Sequence, residues 1–289
     1  MGELAVITPT WKPDAPLFAD LHRSVLQYTP ADTVHHLIVP WAHRRYFAGY
    51  AGPRCRIWTH PELLPRRYVR FPSGVWLNTR QPWPPVRGWI MQQAAKIAAA
   101  AAVPADVVLI ADSDSVLVRP TSADRLRVDG RPSLYRAQDA IHGGMPRHVL
   151  WHQAARELLG LPPAPSPPLP DYVSAIGVWD PVAVRAMQRR ITEVTGRHWL
   201  DALTGRLHVS EFIVYGVYVD ELLASPPPSD ADICHTYYGH RPLSLTEALE
   251  FADALKPEAV GMMISGNSNT PRDIRQAAIR RCAEIVAGD

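Results

Sequence analysis

The chain has 289 residues, 47% of them hydrophobic, enough for one sizeable α/β core with long loops. Its 30 basic and 28 acidic side chains leave a formal charge of +2 with no long run of one sign, so the balance points neither to nucleic acid nor to an anionic membrane as partner. The three cysteines (Cys55, Cys234 and Cys282) are too scattered for a disulfide framework or zinc knuckle. With no basic n-region at the N-terminus and no apolar stretch of ~20 residues, they predict a cytoplasmic protein without a membrane span.

In chain order, Leu4-Ala5-Val6-Ile7 is a short, β-branched apolar run closed by Thr8-Pro9-Thr10, the pattern of a buried first strand. A helix is predicted over 16–28, a strand over 34–39, a helical piece over 42–50 and a strand over 55–58. This alternation at βαβ spacing predicts a mainly parallel, Rossmann-like sheet with helices on its faces. Residues 60–86, rich in Pro, Arg and Trp, read as irregular; a strong helix follows from Arg87 through an alanine tract. Val107-Val108-Leu109-Ile110-Ala111 is the clearest strand, apolar throughout and stopped by Asp112. Further strands are expected near 133–136, 172–178 and 260–264, and helices at 146–160, 181–195, 210–223, 246–255 and 271–287. Proline clusters at 82–85, 162–170 and 226–228 mark three long loops. Residues 1–289 read as one domain, with a nucleotide-binding half to about 130 and a more mixed half, 131–289, for an acceptor.

In an α/β sheet, ligands collect beyond the carboxyl ends of the strands, where Asp112 and Asp114 emerge. Two carboxylates two residues apart, converging from a turn or extended backbone, suit a hard divalent cation, Mn²⁺ or Mg²⁺. Asp230-Ala231-Asp232 has the same letters but follows a proline-rich loop, and reads as turn chemistry.

Strand, Asp112-Ser113-Asp114, then Val116-Leu117-Val118-Arg119-Pro120 resembles the metal motif of GT-A glycosyltransferases, and Ala5-Val6-Ile7-Thr8-Pro9-Thr10 is similar to their first strand. Gly88-Trp89-Ile90-Met91-Gln92-Gln93 with Lys96, and Ser210-Glu211-Phe212-Ile213-Val214-Tyr215-Gly216, look like motifs of a little-characterised bacterial group of such enzymes. Where that group has a histidine-rich strand, this chain has Tyr172 to Trp179. Cys234 to Pro242 loosely resembles the glycogenin-like branch, with Arg241 in place of Lys.

The resemblance implies a GT-A fold and transfer of a sugar from a nucleotide diphosphate, UDP favoured, to an acceptor hydroxyl. It implies that Thr8, Pro9 and Thr10 lie at the nucleotide base, that Asp112 and Ser113 touch donor or metal, and that Arg241 meets the diphosphate. The metal ligands it implies are Asp112, Asp114 and His235, with His240 as second choice for the histidine. On the helix, Trp89, Gln92, Gln93 and Lys96 share roughly one face, and Lys96 or Arg87 reaches donor phosphate or sugar. Glu211 is either a helix-start acid or the base that deprotonates the acceptor, with Asp139, Asp171 and Asp180 as weaker alternatives.

Two other classes remain open. Leu109 to Leu117 also looks like the nucleophile motif of haloacid dehalogenase-type phosphatases, with Asp112 as nucleophile, and Met262 to Asn267 like their second motif. The third is a non-catalytic nucleotide-sugar-binding domain.

Overall fold

The computed structural model describes residues 2–71, 74–224 and 226–288; Met1, Pro72, Ser73, Ser225 and Asp289 lie outside the described residues. The opening apolar run forms β1 (Leu4–Pro9), buried along its length, and β2 (Val34–Val39) and β3 (Cys55–Thr59) extend the sheet in parallel. Between β1 and β2, α1 (Ala15–Tyr28) buries Phe18, Leu21 and Val25, an i, i+3, i+7 stripe turned to the sheet. The helix expected over 42–50 is broken into 3-10 turns on either side of α2 (Arg44–Phe47). Of this stretch only Phe47 is buried, so no apolar stripe holds a continuous helix down.

Residues 60–86 are more ordered than expected. After α3 (His60–Leu63) they form an antiparallel sheet of β4 (Tyr68–Arg70), β5 (Trp76–Asn78) and β6 (Gln81–Val86). The prolines of β6 are tolerated because it is an edge strand, where a missing N–H removes no ladder bond. The inner face is pinned by Tyr68, whose hydroxyl donates to Asp201 at 2.6 Å.

The chain returns through α4 (Gly88–Ala102), which ends where β7 (Val107–Ala111) begins. β7 lies parallel to β1 and is buried at every position, as an unbroken apolar run in a covered sheet requires. Each of its larger side chains contributes about 1.5–3 kcal/mol by leaving water. Next come β8 (Ser115–Leu117) and a small hairpin of β9 (Arg127–Val128) and β10 (Arg131–Pro132). The strand expected at 133–136 is a single bridge from Tyr135 to Ser229; the paired strands are β11 (Ala137–Ile141) and β12 (Leu169–Asp171), joined through α5 (Pro146–Leu159). β13 (Ile176–Trp179) then adds to the outer side of β7 in the antiparallel sense, giving the order β13-β7-β1-β2-β3.

α6 (Pro181–Thr195), α7 (Trp199–Thr204) and α8 (Glu211–Val217) pack with α4 and α5 over one face of this sheet. α8 lies close because Gly216 has no Cβ; one there would overlap the Tyr172 ring. The opposite face packs on α1. A second small sheet of β8, β14 (Cys234–Tyr237) and β15 (Gly261–Ile264) is covered by α9 (Leu245–Asp253) and α10 (Arg272–Gly288). The fold is thus mixed α/β, with a central, mostly parallel sheet between helices and antiparallel pairings in the β4–β6 sheet and in the second half. No helix among the described residues is long and apolar enough to cross a membrane.

Candidate active site

The carboxyl end of β7 runs straight into a turn: Ser115 N donates to Asp112 O at 3.0 Å, folding Asp112-Ser113-Asp114 back on itself. That turn brings the two carboxylates to the same end of the sheet without burying both. The Asp112 side chain is 48% exposed, whereas Asp114 is tucked in and accepts from Gly266 N at 2.7 Å. Burial pushes the Asp114 carboxyl up, and the neighbouring Asp112 charge pushes it further. The backbone around it is fixed by Arg275, whose Nη2 donates to Asp114 O at 2.9 Å. A Cβ on Gly266 would sit 3.5 Å from the Asp114 carboxylate, an ordinary contact, so this backbone N–H approach does not depend on glycine.

Lys96 is the centre of the arrangement. It stands in the interior of α4, buried, with Nζ 3.0 Å from Asp112 Oδ1 and 3.0 Å from Glu211 Oε1. Burial alone would lower its pKa, but the two carboxylates outweigh burial and hold the ammonium well above its ordinary value. Lys96 is therefore a fixed cation and not a base. Glu211 opens α8 behind Ser210, whose Oγ caps the helix, and the Glu211 N–H donates to Gln93 Oε1 at 3.0 Å. Gln93 and Lys96, one turn apart on α4, thus hold the start of α8 against the end of β7. Gln93 Nε2 is buried with no hydrogen-bond partner among the described residues. So is Thr10 Oγ1, just past the end of β1.

Ser113 is buried, with its Oγ 3.4 Å from Asp14 Oδ2, and Asp14 also accepts from Trp11 Nε1 at 2.8 Å. Burial raises the Asp14 carboxyl. Sequence reasoning missed Asp14 and Arg275, neither of which sits in a recognisable local pattern, and met Gly266 only within the phosphatase-like stretch Met262 to Asn267. Trp89 keeps the helix face expected for it but packs its ring 5.6 Å from that of Trp151, while Gln92 is half-buried and Arg87 is exposed at the start of α4.

Four of the expected contacts, Thr8, Pro9, His235 and Arg241, are not brought here, nor is the second-choice His240. Thr8 is fully buried and its Oγ1 lies 2.9 Å from His35 Nε2, which leaves no hydroxyl to offer a ligand; Pro9 closes β1, also buried. His235 is turned to α9: its ring stacks on Phe251 at 4.1 Å, and Nε2 lies 2.6 Å from Phe251 O. Strand alternation puts His235 with Tyr237 on that side and Cys234 on the other, packed toward the central sheet. Arg241 pairs with Glu247 at the start of α9, and His240 is exposed beside it. Among the described residues no three His, Cys, Asp or Glu side chains gather as a metal site would need. Two carboxylates are what the chain itself presents.

The second Asp-x-Asp is turn chemistry, as expected: Asp232 Oδ1 accepts from Ser174 Oγ at 2.7 Å and from Cys234 N at 2.9 Å. Asp180 caps α6 through Val182 N, and Asp171 accepts from Val173 N. The phosphatase pattern also loses its geometry, because β15, which leads into Ser265, pairs with β8 and β14 and is not a neighbour of β7. A cavity of about 930 Å³ lies at the amino ends of the strands beside Leu4, Val34 and Cys55, at the opposite end of the sheet from Asp112.

Among solved structures, the chain is similar to mouse xyloside xylosyltransferase 1 in its apo form, at 13% identity and a TM-score of 0.44 over 93% of this chain and 99% of that one. It is likewise similar to the galactosyltransferase LgtC in complex with donor and acceptor sugar analogues, at 12% identity and a TM-score of 0.45 over 98% and 95%. No curated protein matches the sequence. Residues 10–241, most of the chain, match a family of unknown function (DUF6492), and the chain belongs to that family.

Proposed function

We propose that the chain is a glycosyltransferase of GT-A layout, moving a sugar from a nucleotide diphosphate, UDP favoured, to an acceptor hydroxyl with a divalent cation, Mn²⁺ or Mg²⁺, at Asp112 and Asp114. The observation that carries this reading is the meeting of Asp112, Lys96 and Glu211 at the carboxyl rim, where α/β sheets bind ligands. The half of the chain before about residue 130 supplies the donor side, and the remainder the acceptor side.

The residues fit a hard cation. Asp112 is half-exposed, Asp114 carries a carboxyl that burial and a like charge disfavour, and both are oxygen donors. Such an ion takes its other positions from water and diphosphate oxygens, which explains how the site dispenses with His235. When bound, the cation supplies charge neutralisation to the departing diphosphate.

The chain's own groups supply the rest. Lys96 fixes the orientation of Asp112 and Glu211 at once. Glu211 takes the proton of the acceptor hydroxyl as the acceptor oxygen bonds to the anomeric carbon and the bond from that carbon to the diphosphate breaks, inverting the centre. Gln93 Nε2 and Thr10 Oγ1, buried and unpartnered among the described residues, offer a donor to a sugar oxygen and to the nucleotide.

The test is thermal stabilisation by UDP with and without Mn²⁺. Wild type should be stabilised only with metal, by about 2.7 kcal/mol at roughly 100 times Kd, a Tm rise on the order of 5 °C. Asp114→Ala should abolish the shift. UDP binding indifferent to metal and to that substitution sinks the proposal; metal-dependent binding without donor hydrolysis or transfer leaves a binding domain instead.

A further inference from the structure

β3 is the last strand of the central sheet, and α4 packs on its inner neighbours β1 and β2. The cavity of about 930 Å³ lies beside β3, with Val103, Pro104 and Ala105, just past the end of α4, as its apolar wall. Small-molecule sites are commonly about 300–1,000 Å³. His36 on β2 and Arg56 on β3 both line it, and the parallel register pairs them across the two strands, so their side chains share one face. Trp58 follows Arg56 by two residues and joins them on that face.

The three side chains fix one another. Trp58 Nε1 donates to His36 Nδ1 at 2.9 Å, and an indole N–H can only donate, so in the neutral ring the proton of His36 sits on Nε2. Burial, with the Arg56 charge beside it, pushes the His36 pKa down to about 4 and keeps the ring neutral. His36 is only 5% exposed, yet its Nε2–H has no partner among the described residues and is not sealed off from the cavity that the ring lines. The Arg56 guanidinium lies 3.7 Å over the Trp58 ring and has no acidic partner within 4 Å among the described residues. Stacking holds its plane and leaves the in-plane N–H groups free.

We propose that this cavity is a second binding site, for a small organic monocarboxylate: the carboxylate meets His36 Nε2–H and the Arg56 guanidinium, and the apolar body rests on Val103, Pro104 and Ala105. A planar fork and a fixed N–H on one face match the two oxygens of a carboxylate. The acids of the lining set the charge limit. Glu62 is neutralised by Arg44 at 2.9 Å, whereas Glu3 and Asp32 are exposed at the amino ends of β1 and β2. One free guanidinium balances one negative charge, and the two acids repel a more highly charged group such as a phosphate. The site does not rest on the transfer reading, and its test uses no sugar donor.

Calorimetric titration of the full chain with benzoate and with octanoate, an aromatic and an aliphatic body on the same head, should show one saturable site for at least one of them. Arg56→Gln should weaken that binding about tenfold or more with an unchanged Tm, because the side chain is exposed and carries no ion pair. His36→Phe keeps a ring and removes the N–H, and should weaken binding in the same direction; where that variant loses its fold, Arg56→Gln alone decides. Three results overturn the proposal: saturable binding of neither probe, an Arg56→Gln variant that binds like wild type, or inorganic phosphate binding as tightly as the carboxylates, which would make the cavity a general anion hole.

Discussion

Asp112-Ser113-Asp114 and Asp230-Ala231-Asp232 have the same spacing and different lives. In the second copy, the Asp232 oxygen is committed to Ser174 Oγ and Cys234 N, and the carboxylate shapes the approach to β14. In the first, Asp112 meets a buried ammonium, keeps half its surface open, and faces a second acid whose ionisation the fold disfavours. A carboxylate oxygen shared between Ser174 Oγ and a backbone N–H is architecture, whereas Asp112, held by a buried cation at a strand end, is poised for a ligand, with Asp114 set beside it by the Gly266 N–H. What separates the two is therefore the partner and not the acid.

The largest effect should come from Glu211. Glu211→Gln keeps the helix start and the contact with Lys96 but cannot take a proton, so kcat should fall about 10²–10⁴-fold with donor affinity retained. Steady-state kinetics decide it: near-normal turnover makes Glu211 only the acid that opens α8. Lys96 comes next, with an effect on stability instead. Lys96→Met leaves Glu211 buried without its cation, and such a loss costs about 3–5 kcal/mol, read as a drop in the denaturation midpoint. Combining Lys96→Met with Glu211→Gln should recover much of that loss, because no unpaired charge then remains. Additive losses would mean that the two do not form one unit.

How much of this was legible follows from the kind of signal each part gives. β7 could be read because an unbroken apolar run ending at Asp112 has few alternatives. The common face of Gln93 and Lys96 could be read from helical spacing, but not their partners, since Glu211 is 115 residues from Lys96 and only the packing of α8 brings it there. His235 was misplaced because a loose spacing match carries no information on which side of a strand a residue falls, and strand alternation put it against Phe251. The β4–β6 sheet was hidden by its own prolines, which are breakers in a central strand and harmless at an edge.

The smallest effect gives the cleanest contrast between the two acid pairs. Burial raises the Asp232 carboxyl above its ordinary value of 3.8. A raised acid favours the protonated form in the fold, so its ionised form disfavours folding at neutral pH, and that disadvantage disappears as pH falls through the raised pKa toward 3.8. Asp232→Asn keeps an oxygen for Ser174 and Cys234 and carries no charge, so the variant should be slightly more stable than wild type at pH 7. The difference should shrink as the pH is lowered toward 4 in denaturant titrations. Its UDP binding with Mn²⁺ should be unchanged, whereas Asp114→Asn should weaken that binding by at least about tenfold. If Asp232→Asn lost binding as well, the proline-flanked pair would join the site, and the partner of a carboxylate would no longer separate the two copies.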